Sequence, residues 1–417
     1  MRYIGIIVLL VLCLALLLFT GCMIDTVKPE LASGNLENQE DINPNSNNYQ
    51  NPSTDPVEEP VTEEPGTVYP QKWATGTGTV GDPWANDCIK TAFTNTPAGE
   101  TIYLRAGYYQ LAGSLSINKA INIIGEGRNK TIIVTADAYG FNISADYVTL
   151  KGFTMDGAAQ ASGDKPIIGM ANCDYHVLED IETKNGITAG IQNFQSNYSS
   201  YKNIYSHDNG TAGFHPCTDT AGKNIHNTYR DIFCWDNGNS GFGDRGKQTT
   251  PVTASYNTYD NLQCWDNGVN GIAIVYQSNI ELSNSSSTGN MGSGLYLTYI
   301  EDSTIDNCLF TLNGVGNEQN GILLSAGVKN VNFTNVIVKN NDTGINIFNA
   351  KNIVFTSCQS YDDRATPLQK YGMQLAGTNS GISILNCKLS PNKKGDIYNP
   401  AGVVLTVIAE KKRLPKC

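Results

Sequence analysis

Six residues between positions 215 and 247 have side chains suited to one reaction: His215, Asp219, Lys223, Asp244, Arg245 and Lys247. They lie in two stretches, His215-Pro-Cys-Thr-Asp-Thr-Ala-Gly-Lys-Asn and Gly243-Asp-Arg-Gly-Lys-Gln-Thr-Thr-Pro. An imidazole near an arginine and two lysines suits β-elimination on an acidic sugar. One group removes the proton α to the uronate carboxylate. A cation, either Arg/Lys or bound Ca²⁺, neutralises that carboxylate so the proton becomes acidic. Asp219 and Asp244 supply hard oxygen ligands for Ca²⁺, and they are also the only carboxylate pair these stretches offer for glycoside hydrolysis. The competing reading is two surface loops with solvated ion pairs.

A second constellation sits in a repeated slot. Ser206-His207-Asp208-Asn209-Gly210, Cys234-Trp235-Asp236-Asn237-Gly238 and Cys264-Trp265-Asp266-Asn267-Gly268 are three copies of one phrase. With Ser206, Cys234 and Cys264 inward, alternation places His207, Trp235 and Trp265 outward, on the face shared by Tyr205 and Phe233. Such a strip suits stacking on sugar rings; the alternative is an aromatic ladder under a neighbouring loop. Asp208, Asp236 and Asp266 form a column that either turns the chain or shares a Ca²⁺ ion.

These residues need a scaffold that brings distant segments together, and the repeat supplies one. Glycines at 190, 213, 241, 271, 294, 321, 344 and 372 open successive units whose shortest spacing is 23 residues. Each unit holds short alternating segments that cannot bury an apolar face alone, so the units must stack. The inserted stretches fall in two consecutive longer units, and stacking brings Gly213 and Gly241 side by side. Among eleven cysteines, Cys234, Cys264, Cys308, Cys358 and Cys387 fall at apolar-pattern positions, which predicts stacked buried thiols; one disulfide, Cys234–Cys264, is the alternative. Asp82-Pro83 followed by Trp84, Cys88, Ile89, Ala92 and Phe93 predicts a capping helix over the open end.

The phrases Asp82-Pro83-Trp84, Gly99-Glu-Thr-Ile-Tyr-Leu-Arg-Ala-Gly-Tyr-Tyr109 and Ile121-Asn-Ile-Ile-Gly125-Glu-Gly resemble the opening of right-handed parallel β-helix proteins of the pectin-lyase-like superfamily. The later Asn-apolar units resemble its general repeat, so the similarity spans roughly residues 67–405. It implies an all-β, single-stranded right-handed parallel β-helix with a short N-terminal capping helix. It does not choose among lyase, hydrolase, epimerase and adhesin. The family 9 polysaccharide lyases open successive coils with acidic motifs and carry a catalytic Lys. Here the matching places read Thr211-Ala212-Gly213-Phe214, Asn239-Ser240-Gly241-Phe242 and Gly271-Ile272-Ala273. With the acids absent and Ala273 at the Lys place, that calcium site and base do not carry over. The Asp-Pro-His-Asp string of the mannuronan epimerases is absent as well.

The N-terminus reads as an address. Arg2, the apolar run Ile4 to Phe19 and Leu18-Phe19-Thr20-Gly21-Cys22 resemble a bacterial lipoprotein signal, implying removal of residues 1–21 and lipidation of Cys22. Residues 22–66 read as a disordered acidic tether, with ten acids against Lys28, too poor in apolar residues to fold. The chain's net charge of −11 therefore falls largely on the tether, leaving about −3 on residues 67–417. That balance does not exclude an acidic glycan, and no basic stripe argues for nucleic acid. The expected protein is a monomer outside the cytoplasm, held to the membrane by its lipid alone. Its expected partner is a polysaccharide or cell-surface glycan. The rival reading is a β-helix lipoprotein that binds glycan without cleaving it.

Overall fold

The computed structural model describes residues 67–408, apart from 80, 86, 137–138, 161–162, 250–251, 253–254 and 317–318. Cys22 and the segments expected to form the signal and the tether lie outside the described residues. Strands pair in parallel, each with its counterpart one coil away, and build a solenoid of about twelve turns. One face, here sheet A, stacks Ile168–Ala171, Ile191–Phe194, Phe214–Cys217, Phe242–Arg245 and Ile272–Ser278. The other two faces come from single longer strands: Val177–Lys184, Ser200–His207, Thr228–Trp235 and Thr258–Trp265. Each bends midway at a left-handed residue, Asp180, Asn203, Asp231 or Asn261, with φ of 53°, 56°, 55° and 56°. Asn and Asp reach that region because their short polar side chains can hydrogen-bond locally. The halves before the bend form sheet B and those after it form sheet C.

Alternation fills the interior in columns. Leu150, Leu178, Tyr201, Tyr229, Tyr259 and Leu282 lie in register and are buried. Tyr201, Tyr229 and Tyr259 stack at 5.0 and 5.3 Å, close to the strand spacing. The thiols follow the stacked reading: Cys234 and Cys264 are in register, buried and unbridged, and every described cysteine is free.

Between sheets C and A the chain turns on a buried ladder of carboxamides. Asn209, Asn237, Asn267, Asn290, Asn313 and Asn341 occupy successive coils, each Nδ2 donating to the next Oδ1 at 2.8 to 3.3 Å. Gln369 and Asn392 extend the line. At the corner before sheet B an exposed ladder runs Tyr147, Tyr175, Tyr198, His226, Tyr256, with ring centroids 4.9 to 5.4 Å apart. All five residues have positive φ, which costs a bulky side chain about 1–2 kcal/mol. Each of the four stacked pairs returns roughly 0.5–1.5 kcal/mol, so the ladder offsets part of its own strain.

The capping helix spans Cys88–Asn95, starting later than Asp82-Pro83 predicts. Trp84 is claimed by strand pairing: its N–H donates to the Tyr108 carbonyl at 2.8 Å, and its own carbonyl accepts from Gln110 at 2.9 Å. A residue bonded to a strand on both sides cannot also begin a helix. The helix still covers the core, with Cys88, Ile89, Ala92 and Phe93 buried.

Candidate functional site

Sheet A alternates in and out, and this decides which loop residues can meet a ligand. Phe242 and Asp244 point inward; Gly243 and Arg245 point outward. In the preceding coil His215 lies outward opposite Gly243, and Cys217 opposite Arg245. A Cβ placed on Gly243 would lie 3.4 Å from His215 Nδ1, so the imidazole leans over that glycine. His215 and Arg245 thus share one face, their Cα atoms on the order of 8 Å apart from one strand spacing across and two residues along. Gln192 flanks His215 on one side, and beyond Gly243 come Ala273 and Tyr296. Among the described residues no ion pair engages Arg245 or Lys247.

The two inserted stretches meet beside this face. Lys223 and Lys247 line one cleft with Thr220, Asn224, Tyr276 and Gln277. It encloses about 10 Å³, room for one water and none for a sugar. His215 is not among its lining, so a polymer has the open sheet face, with the lysines at its edge. Lys223 is 3.8 Å from Asp174.

Asp244 corrects the sequence reading. It was expected among the catalytic or calcium-binding groups, yet it is buried inside the coil, 1% exposed. Its Oδ2 accepts from Tyr259 Oη at 2.8 Å, and Oδ1 accepts from Asn224 Nδ2. Asn224 closes the first inserted stretch, so Asp244 positions that loop and cannot touch a glycan. Asp219 accepts from Gln195 Nε2 and from Thr220 Oγ1. The two carboxylates therefore do not face one another across a bond, and no hydrolytic pair forms.

Burial pushes the Asp244 carboxyl up to about 7, against the hydrogen bonds from Tyr259 and Asn224 and the charge of His215, which pull it down. The geometry favours the neutral acid. Tyr259 Oη is also 2.9 Å from Gln277 Oε1, and its single proton cannot serve both acceptors; a proton on Asp244 completes the chain. The folded state binds this proton more tightly than the unfolded one. Its stabilisation is therefore full below the ordinary value of 3.8 and is lost as pH rises through about 7. The span is worth on the order of 4 kcal/mol. Asp244→Asn is expected to flatten the fall in urea midpoint between pH 4 and pH 8. A variant as pH-sensitive as the wild type would contradict this.

The strip on sheet C is outward, as alternation predicts, but it is stacked along the solenoid axis. His207 lies 4.0 Å from Trp235, and Trp235 lies 4.8 Å from Trp265, with planes within 10°. Phe233 stacks on Tyr205 at 4.7 Å, and Arg128 covers Tyr205 at 3.3 Å. Coil spacing and ring stacking distance are nearly equal, so the rings satisfy one another and show mostly edges. His207 is further fixed by Glu182 Oε1 at 2.9 Å and Asp208 Oδ2 at 2.7 Å.

Asp208, Asp236 and Asp266 have φ of 53°, 50° and 54°, which accounts for this residue type at the turn. Burial, then the preceding aspartate of the column, raises Asp236 and Asp266 above the ordinary carboxylate range. The three stand one coil apart and do not converge; among the described residues no three His, Cys, Asp or Glu groups could hold a metal ion.

Comparison with known proteins agrees with this architecture. A family described as a right-handed β-helix region matches residues 251–406. Pectate lyase L of Paenibacillus polymyxa (strain SC2) is 26% identical over 226 residues, covering 46% of this chain. The alignment spans 45% of that curated relative, a little under half its length. Among solved structures, the Agl-KA catalytic domain superposes with a TM-score of 0.60 at 15% identity, covering 84% of this chain and 70% of that one. The A-module of Azotobacter vinelandii mannuronan C-5 epimerase AlgE4 gives 0.56 at 16%, covering 82% and 100%. A PL6 alginate lyase in complex with a trisaccharide gives 0.54 at 10%, covering 77% and 82%. The chain has the right-handed parallel β-helix fold of the pectin-lyase-like kind.

Proposed function

We propose that the protein acts on an acidic, uronate-containing polysaccharide at the outer face of sheet A, by β-elimination. The carrying observation is the pairing of outward His215 and Arg245 on adjacent coils, with Lys223 and Lys247 at the edge. Arg245 neutralises the uronate carboxylate, and His215 takes the α proton. The α–β double bond forms as the glycosidic C–O bond at the β carbon breaks, and the leaving oxygen takes a proton from solvent water. The relatives' names support the substrate class: a pectate lyase, a mannuronan epimerase and an alginate lyase. Neutralisation by Arg and Lys fits these residues better than Ca²⁺ does, because Asp244 is inward and Asp219 is engaged by Gln195. We read the address as a lipid on Cys22 that holds the domain outside the cytoplasm.

One observation favours a second reading, glycan binding without cleavage. The positions in register with His215, Gly243 and Ala273, put no titrating group beside it. Incubation with polygalacturonate and alginate, with and without Ca²⁺, separates the two. Ultraviolet absorbance of an unsaturated uronate product is the expected result. Saturable binding without that absorbance would establish the binder and overturn elimination.

A further inference from the structure

The aromatic stack on sheet C ends abruptly. Trp265 is the last ring, and its in-register neighbour in the next coil is Thr288, followed by Thr311 and Lys339. Trp235 covers one indole face. The other looks along the axis over two tiers of short side chains, closed off by Lys339, which pairs with Asp363 at 3.2 Å. Beside this gap Asp266 leans over Gly289, where any side chain would collide with its Oδ1. The adjoining outward column, Gln263, Ser286 and Leu309, continues the floor.

We propose that sheet C carries a separate carbohydrate-binding notch, in which a neutral, all-equatorial pyranose stacks on the open face of Trp265 in the tier Thr288 leaves vacant. The tier height is one strand spacing, about 4.8 Å, which matches the separation of Trp235 and Trp265. A pyranose there continues the stack as the missing ring, presenting its axial C–H face to the indole. The hydroxyls of Thr288 and Thr311 and the carboxylate of Asp266 meet the sugar's equatorial hydroxyls. Charge selects against a uronate: Asp266 stands beside the notch with Asp236 one coil behind it. Burial and the Asp236 carboxylate already raise Asp266 above the ordinary carboxylate range, and a further carboxylate would be repelled. Because the ring lies parallel to the indole, the glycan leaves the notch across the solenoid rather than along it. His207 and Trp235 take no part by their faces; stacked in one column, they hold Trp265 flat, while Phe233 stacks on Tyr205 in the adjoining column. The notch stands whether or not sheet A is catalytic.

The full chain, titrated with cellohexaose by calorimetry and tryptophan emission, is expected to show saturable binding with a change in emission. Trp265→Ala should weaken it at least tenfold. Thr288→Trp fills the vacant tier by extending the stack, and should weaken binding as much while keeping the wild-type melting temperature. If Trp265→Ala loses its fold, Thr288→Trp decides. An oligogalacturonate of equal length should bind at this site at least tenfold more weakly, read as competition with cellohexaose. Absence of saturation, unchanged affinity in the folded variants, or equal competition by the oligogalacturonate would each overturn the notch.

Discussion

Arg245→Ala is expected to lower kcat/KM on a uronate polysaccharide by roughly 10²–10³-fold, the loss that follows removal of one preorganised group facing developing charge. The carboxylate becomes an enediolate-like dianion as the α proton leaves, so the guanidinium is worth more in the transition state than in the ground state. The loss should therefore fall mainly on kcat. Arg245 projects outward from a strand whose backbone pairing is unchanged, and melting temperature should stay within a degree or two of wild type. Arg245→Lys keeps the charge but not the planar fork, and should recover part of the rate. His215→Ala should cost a similar factor. Full turnover by Arg245→Ala would remove sheet A from the mechanism.

Asn267→Ala is expected to be the most destabilising single change in the turn between sheets C and A. Its Oδ1 accepts from Asn237 N–H at 3.2 Å and from Asn237 Nδ2 at 3.0 Å. Its Nδ2 donates to the carbonyls of Cys234 and Trp265 and to Asn290 Oδ1, at 3.1, 3.0 and 2.9 Å. Truncation leaves several buried groups on two coils unpaired, at about 1–3 kcal/mol each, so a total of about 3 kcal/mol or more is expected. Asn307→Ala provides the contrast. Its carboxamide donates to Asn284 at 2.7 Å on the surface, where water replaces the partner, and a few tenths of a kcal/mol are expected. Urea titration of both variants checks the difference; equal midpoints would show that burial does not govern the ladder. Because coils contact only their neighbours, the weakened coil should also broaden or split the transition.

Much of this fold was legible because the period is carried by residues with a backbone reason to recur. Gly213, Gly241 and Gly271 stand where the chain approaches the next coil closely, and the inward thiols Cys234 and Cys264 repeat with them. The alternation that placed Trp235 outside also governed Phe242-Gly243-Asp244-Arg245. Applied there, it puts Asp244 inside; counting that strand as an insertion hid it. The Trp84 helix start failed because local capping signals compete with strand pairing to residues 108 and 110, a contact the helical pattern does not encode. The exposed ladder was in plain view: Tyr147, Tyr175, Tyr198, His226 and Tyr256 each precede a sheet B strand by two residues, one per coil. Outward direction could be read from the chain, but not that rings one coil apart would face one another and leave a single open face at Trp265.

The carboxamide ladder has a chemical consequence as well as an energetic one. Asn209-Gly210, Asn237-Gly238 and Asn267-Gly268 are the dipeptides most prone to succinimide formation, in which the glycine nitrogen attacks the side-chain carbonyl carbon. Here each carboxamide is locked inward, and each nucleophile is occupied: the N–H groups of Gly210, Gly238 and Gly268 donate to the carbonyls of Gly186, Asn209 and Asn237 at 2.7, 2.8 and 2.8 Å. The coiled state thereby stops its own ageing clock. An asparagine converts only while its coil is open, so conversion at each position, read by peptide mass, records how often that coil has come undone.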